Sequence, residues 1–380
     1  MKTYRRLWAT LCSKQNLRLA YEKARRHKTN NPAIQAFDEH ATYHLALLRH
    51  ELRHKTYRPQ PLQKFVLRDP KTRVICKSDF RDRVIHHALV NILQPIFEPR
   101  FIHDSYASRQ GKGTLAAIKR YETFARQVTR NGGLVTGARN NNDVVGYALK
   151  CDIRHYFDTV HHDTLVRIIA QRVRDDDVLW LVRTILDHHH AQTTGAGMPL
   201  GNWTSQFFAN IYLNELDQYV KHKLHATRYL RYVDDFVILD RSTTVLEAHR
   251  EAITTFLRTI HLELHPTKCM IIPLRRGVAF LGFRIFSHYR LPRRRNVRSI
   301  RRRLRDLLAM YEDGQVAHER ITDTLQGWNA YASHAQTYHL RLRLQSEVLA
   351  SLATMTPPRP PKGASSLFAT TETTGNTTAR

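Results

Sequence analysis

The sequence predicts an α+β fold, and three observations carry that prediction. Residues 228–239 form two β-prone runs, rich in Tyr, Leu, Val, Ile and Phe, interrupted by Asp234-Asp235. That pattern reads as a tight hairpin with both carboxylates at its tip. Residues 144–151 read as a buried strand that ends at Asp152 and is followed by a helix near His162-Asp163, with Leu165, Ile168 and Ile169 on one face. Leu304, Leu307, Leu308 and Tyr311 fall at i, i+3, i+4 and i+7 behind a run of arginines, the pattern of an amphipathic helix with a basic outer face.

Taken in order, residues 1–30 are basic and helical, with Leu7, Leu11 and Tyr21 as anchors, and Asn30-Asn31-Pro32 starts the next helix. Leu45, Leu48 and Leu52 give helical spacing over 41–55, which Tyr57-Arg58-Pro59-Gln60-Pro61 breaks. Residues 65–75 read as a hairpin turning at Asp69-Pro70, a mobile flap from which Arg68, Lys71 and Arg73 project. A helix over 79–98 ends before Pro99. The Gly-containing loop 105–114 then opens another helix, in a form suited to backbone phosphate contacts. Residues 127–146 are a loop or insertion with no chemistry to name. Asp163 is expected to cap its helix. The Gly-rich loop 195–206 opens a helix from Phe207 to about His225, and a further helix spans about 244–259. Strands end at Ile285, a second helical stretch covers 321–349, and the tail from Thr354 is polar enough to be disordered.

Composition bounds the function. Of 380 residues, 60 are Lys or Arg and 33 are Asp or Glu, a formal charge of +27. Such an excess points to a polyanionic partner, nucleic acid first. A membrane surface is the weaker candidate, because no apolar run of about 18 residues occurs. The N-terminus lacks the apolar core of a signal peptide. Cys12, Cys76, Cys151 and Cys269 are widely spaced without a CxxC pair, so neither a zinc ribbon nor a disulfide framework is expected, and a reducing cytoplasm fits. His188-His189-His190 reads as a solvated or nucleic-acid-facing loop, since three consecutive side chains cannot face one ion. Adjacent carboxylates repel unless a cation lies between them, so the Asp234-Asp235 tip reads as a Mg²⁺ site.

The order of these elements resembles that of a reverse transcriptase. The motifs are Cys151-Asp152-Ile153-Arg154-His155-Tyr156-Phe157-Asp158, the loop from Gly197 to Gln206, Tyr232-Val233-Asp234-Asp235, Pro266-Thr267-Lys268 and Phe280-Leu281-Gly282-Phe283. The resemblance runs over about 31–349. It implies a right-hand polymerase: fingers with part of the palm in 1–146, a ferredoxin- or RRM-like palm in 147–290, a basic helical thumb in 291–352 and a disordered tail in 353–380. Two Mg²⁺ ions would be held by Asp152, Asp234, Asp235 and the Ile153 carbonyl. Arg73 and Arg68 would hold the triphosphate of a dNTP, Phe157 would stand where a ribose 2′-hydroxyl would sit, and Lys268 would protonate pyrophosphate. Leu200, Gly201 and Gln206 would lie beside the incoming nucleotide, and Arg301, Arg302 and Arg303 would contact the template RNA and RNA/cDNA duplex.

Within that superfamily the chain is most similar to the reverse transcriptases of diversity-generating retroelements. Group II intron and retron enzymes usually read Gln-Gly-x-x-x-Ser-Pro where this chain has Leu200 for the Gln and Gln206 for the Pro. That subtype implies error-prone copying of a template-repeat RNA with mutations at adenine. It also implies a small basic accessory protein, itself a homo-oligomer, and a cytoplasmic setting in a bacterium, an archaeon or a phage-infected cell. No maturase-like or endonuclease extension is expected. Two other readings remain: a retron-like or group II-like reverse transcriptase, and a non-catalytic RNA-binding protein on the same scaffold. The intact carboxylate triad speaks against the last.

Overall fold

The structure is a computed structural model that describes residues 2–68, 72–189 and 194–355. Asp69, Pro70 and Lys71 of the expected flap, His190 of the histidine tract and nearly all of the expected tail lie outside these residues. The chain divides into two compact units at Arg276/Gly277, ahead of the 290/291 boundary that the sequence suggests between palm and thumb.

The first unit begins with four helices, α1 (Trp8–Leu11), α2 (Lys14–Arg25), α3 (Pro32–Glu39) and α4 (Ala41–Arg53). The single helical stretch expected over 1–30 is broken at Ser13, whose hydroxyl accepts the backbone N–H of Asn16 and starts a new helix. Asn31 caps α3 with Pro32 in its first turn, as expected. An antiparallel hairpin follows, β1 (Gln63–Leu67), exposed throughout, with β2 (Arg73–Lys77), whose Cys76 is buried. Next come α5 (Phe80–Phe97), capped by Asp79, and α6 (Thr114–Thr129).

β3 (Tyr147–Asp152) is the chain's central strand. After it come α7 (Tyr156–Thr159), α8 (His162–Ala170), α9 (Asp176–Asp187) and α10 (Trp203–His222). The hairpin β4 (Tyr229–Tyr232) and β5 (Asp235–Asp240), helix α11 (Thr243–Thr259) and strand β6 (Met270–Pro273) complete the unit. The four strands form one antiparallel sheet in the order β4-β5-β3-β6, against which α6, α10 and α11 pack. Its core joins Leu149, Cys151 and Ile153 of the β3 region to Tyr156, Phe208, Tyr229, Phe236 and Ile238, all buried.

Three expectations are corrected here. His161, not Asp163, caps α8, and Asp163 sits in the first turn paired with Arg183 at 2.5 Å. α10 begins at Trp203, four residues ahead of the expected Phe207. Cys151 and Cys269 pair as a disulfide although no framework was expected. They flank the β3–β6 register at Lys150↔Met270 and so face each other across the two strands.

The second unit opens with a three-stranded meander, β7 (Val278–Phe280), β8 (Phe283–Ile285) and β9 (Arg290–Pro292). Three helices follow, α12 (Arg294–Glu312), α13 (His318–Ala332) and α14 (Tyr338–Thr354). Ile300, Leu304, Leu307 and Leu308 of α12 are buried with Ile321, Leu325, Leu344 and Val348, while Arg301, Arg302 and Arg303 are exposed. The single stretch expected over 321–349 is two helices. The Thr337 hydroxyl donates to the Ala332 carbonyl at 2.6 Å and satisfies an end group of α13. Among the described residues no helix is long and apolar enough to cross a membrane.

Candidate active site

Strand pairing builds the site. β3 and β5 are antiparallel in a register that sets Cys151 against Phe236 and Asp152 against Asp235. The two carboxylates therefore stand side by side on neighbouring strands. β4 and β5 are joined by only Val233 and Asp234, since Tyr232 pairs directly with Asp235. The tip is thus Val233-Asp234, and Asp235 opens the strand rather than sharing the turn. The backbone N–H of Ile153 donates to the Asp234 carbonyl at 3.2 Å, which ties the tip to the end of β3.

The electrostatics follow from this crowding. Burial, with the charges of Asp235 and Asp152, pushes the Asp234 carboxyl up to about 6, against which Arg73 pulls down. Arg73, at the start of β2, therefore lies within electrostatic reach of the tip. Lys268 Nζ donates to Asp152 Oδ1 at 3.2 Å, so its partner here is a catalytic candidate. Lys150 Nζ stands 3.6 Å from Asp235 Oδ1. Lys150 was not singled out from sequence. The available signal was spacing, because residues i and i+2 of a strand share a face and Lys150 precedes Asp152 by two. Among the described residues no three His, Cys, Asp or Glu side chains are gathered closely enough to hold an ion as they stand. One lysine stands beside each of two carboxylates, Lys268 hydrogen-bonded to Asp152 and Lys150 ion-paired with Asp235.

The Gly-rich loop packs on the hairpin. The Leu200 carbonyl accepts the Cys76 N–H at 2.9 Å. Gly201 has φ +116°, and a Cβ there would lie 2.8 Å from Ile75 Cγ2 and 3.3 Å from the Cys76 carbonyl, so glycine is required. Asn202 precedes α10, but its side chain accepts the Ser78 N–H at 3.1 Å instead of capping the helix. Gln206 is exposed and accepts a hydrogen bond from Ser108 Oγ at 3.0 Å. Phe157, half-buried in α7, packs on Tyr156, and its carbonyl accepts the Met198 N–H at 2.6 Å. The structure thus gathers Asp152, Ile153, Asp234, Asp235, Lys268 and Arg73 around one tip, and joins Leu200 and Gly201 to β2. Arg68 is exposed beyond β1, and Arg301, Arg302 and Arg303 belong to the second unit.

The family described as "Reverse transcriptase (RNA-dependent DNA polymerase)" matches residues 66–285, more than half of the chain. Protein YkfC of Escherichia coli is 27% identical over 281 residues, 63% of this chain and 71% of that protein. The group II intron-encoded protein LtrA of Lactococcus lactis is 29% identical over 177 residues, 44% of this chain and 27% of LtrA. Among solved structures, telomerase from Candida albicans in complex with a fragment of telomeric RNA has a TM-score of 0.47 at 11% identity, over 78% of this chain and 55% of that one. Apo telomerase from Candida tropicalis has a TM-score of 0.43 at 14% identity, over 60% of this chain and 46% of that one.

Proposed function

We propose, on the premise that this chain belongs to the reverse transcriptase family, that it extends a DNA strand on an RNA template. The observation that carries this reading is the opposition of Asp152 and Asp235 across β3 and β5, with Asp234 in the two-residue link beside them. The donor set is all oxygen, which suits a hard cation, and Asp234 resists ionisation because it is buried and lies beside two like charges, a repulsion that a divalent cation would relieve. Asp152, Asp234, Asp235 and the Ile153 carbonyl are the residues to hold two Mg²⁺ ions. When bound, these ions lower the pKa of the primer 3′-hydroxyl and offset charge on the leaving pyrophosphate.

The chain's own residues do the rest. Arg73, with Arg68, binds the triphosphate of the dNTP through charge-assisted hydrogen bonds. Lys268, beside Asp152, holds a proton for the leaving pyrophosphate. Phe157 excludes a ribose 2′-hydroxyl, and Leu200, Gly201 and Gln206 line the nucleotide pocket. Residues 1–146 act as fingers, 147–290 as palm and 291–352 as thumb, whose Arg301, Arg302 and Arg303 contact the template–primer duplex.

The subtype is read from Leu200 and Gln206. They favour the diversity-generating class, with template-repeat RNA as template and a small basic accessory protein as partner. A group II-like enzyme is the second reading, favoured by the likeness to LtrA. Primer extension on a defined RNA template tests the activity: Asp152→Asn is expected to abolish Mg²⁺-dependent synthesis and leave RNA binding nearly intact. Near-wild-type synthesis by that variant would overturn the assignment. Sequencing the wild-type cDNA separates the subtypes, since errors concentrated opposite template adenine belong to the first and an even spectrum to the second.

A further inference from the structure

The tip that carries Asp234 is held in a conformation its sequence disfavours. Val233 has φ +53°, a region that β-branched side chains rarely enter. Such a residue persists only where its surroundings over-determine it. Two hydrogen bonds do so here. Ile153 N–H donates to the Asp234 carbonyl, and Arg231 Nη1 donates to the Val233 carbonyl at 3.0 Å.

Arg231 is a fully buried cation two residues before that carbonyl. An arginine has five N–H donors, and each is directed. Nε and Nη2 form a fork onto the buried Asp217 at 2.8 and 2.6 Å. Nη2 also donates to Ser105 Oγ at 3.1 Å. Nη1 donates to Asn210 Oδ1 at 3.2 Å as well as to Val233. Tyr229 Oη donates to Asp217 at 2.6 Å, so the carboxylate is held on a second side. A buried ion pair is often no more stabilising than apolar side chains of the same volume. Core stability therefore does not account for Arg231, whereas the direction of its donors does.

We propose that Arg231 is a positioning residue for the polymerisation reaction. Its guanidinium, fixed by Asp217, Asn210 and Ser105, holds the Val233 carbonyl and so sets the orientation of the Asp234 carboxylate. This rests on the reading of the tip as the metal-holding site of a polymerase. The same network reaches the nucleotide pocket. Arg231 N–H donates to the Asp104 carbonyl at 2.9 Å, and Tyr106 N–H donates to the Arg231 carbonyl at 3.0 Å. One loop thus runs from Arg231 to Ser108, whose hydroxyl binds Gln206.

The test uses the full chain, with primer extension on an RNA template over a range of Mg²⁺ concentrations. Arg231→Lys keeps a charge for Asp217 but cannot reach Val233 with a fork. It is expected to melt cooperatively and to bind template–primer and dNTP with unchanged Kd and KM. Its kcat should fall at least tenfold, and its half-maximal rate should require at least several-fold more Mg²⁺. Adding Val233→Gly, which adopts positive φ without strain, should recover part of the loss. If Arg231→Lys does not fold, the paired change Arg231→Met with Asp217→Leu leaves no buried charge uncompensated and carries the same measurement. A folded variant with wild-type kcat and Mg²⁺ dependence would overturn this role, as would a loss that Val233→Gly does not relieve. A wild-type chain that extends no primer would instead overturn the polymerase reading.

Discussion

Asp234 is the residue whose chemistry is most at odds with its surroundings. Its carboxyl has an ordinary value of 3.8 and is raised to about 6 in the folded chain, chiefly by burial and then by Asp235 and Asp152. A group raised on folding favours the protonated native state. Its contribution to stability is complete below 3.8 and is lost as pH rises through about 6. Asp234→Asn removes that dependence. Without Mg²⁺ at pH 8, the variant is expected to melt roughly 2–4 °C above the wild type, the shift that goes with about 1 kcal/mol. At pH 4 the two should melt nearly together, and the variant should synthesise no cDNA at either pH. Thermal melts at the two pH values check this, and equal melting at pH 8 would mean that burial and the neighbouring carboxylates do not raise Asp234. Asp234 must lose its proton to hold Mg²⁺, so the Mg²⁺ concentration for half-maximal wild-type synthesis should rise as pH falls towards 6.

At the scale of elements, the informative contact is that of the Gly-rich loop with β2. Gly201 brings the loop against Ile75 and Cys76 at a distance no Cβ tolerates, in a backbone conformation that favours glycine. β2 starts with Arg73, a cation within electrostatic reach of Asp234. The loop thereby ties the hairpin to the tip chemistry. Gly201→Ala adds a left-handed penalty of about 1–2 kcal/mol together with the clash. The loop should move away from β2, and KM for dNTP should rise by about tenfold, equivalent to about 1.4 kcal/mol, with less change in kcat. Steady-state kinetics on one template decides it, and an unchanged KM would detach the loop from nucleotide binding.

For the molecule as a whole, charge and core are arranged separately in the two units. The first buries a large cluster that includes Leu149, Cys151 and Ile153 of the β3 region, and the second buries its own across α12, α13 and α14. The net charge of +27 is concentrated in part on α12, where the exposed Arg301, Arg302 and Arg303 oppose the buried Ile300 and Leu304. Replacing the three arginines with Gln is expected to weaken template–primer binding and to flatten its salt dependence. Each lost phosphate contact lowers the slope of log affinity against log salt by about 0.9 for a duplex. An unaltered slope would place the duplex contact elsewhere.

Local pattern was enough for much of this molecule. The alternation around Asp234-Asp235, the strand ending at Asp152 and the 3.6-residue spacing of α12 are written in neighbouring residues, so the elements and most of the carboxylate site were legible from sequence. The helix breaks at Ser13 and at Ser333–Thr337 were less so, because single side-chain hydrogen bonds made there decide them. What only the tertiary structure decided depends on partners far apart in the chain. The register that sets Asp152 against Asp235, the approach of Lys268 to Asp152 and the pairing of Cys151 with Cys269 are of this kind. So is the buried Arg231, which in sequence is one basic residue among 60 Lys and Arg. No local periodicity encodes such contacts, because they arise when separate strands and loops are brought together by the burial of a common core.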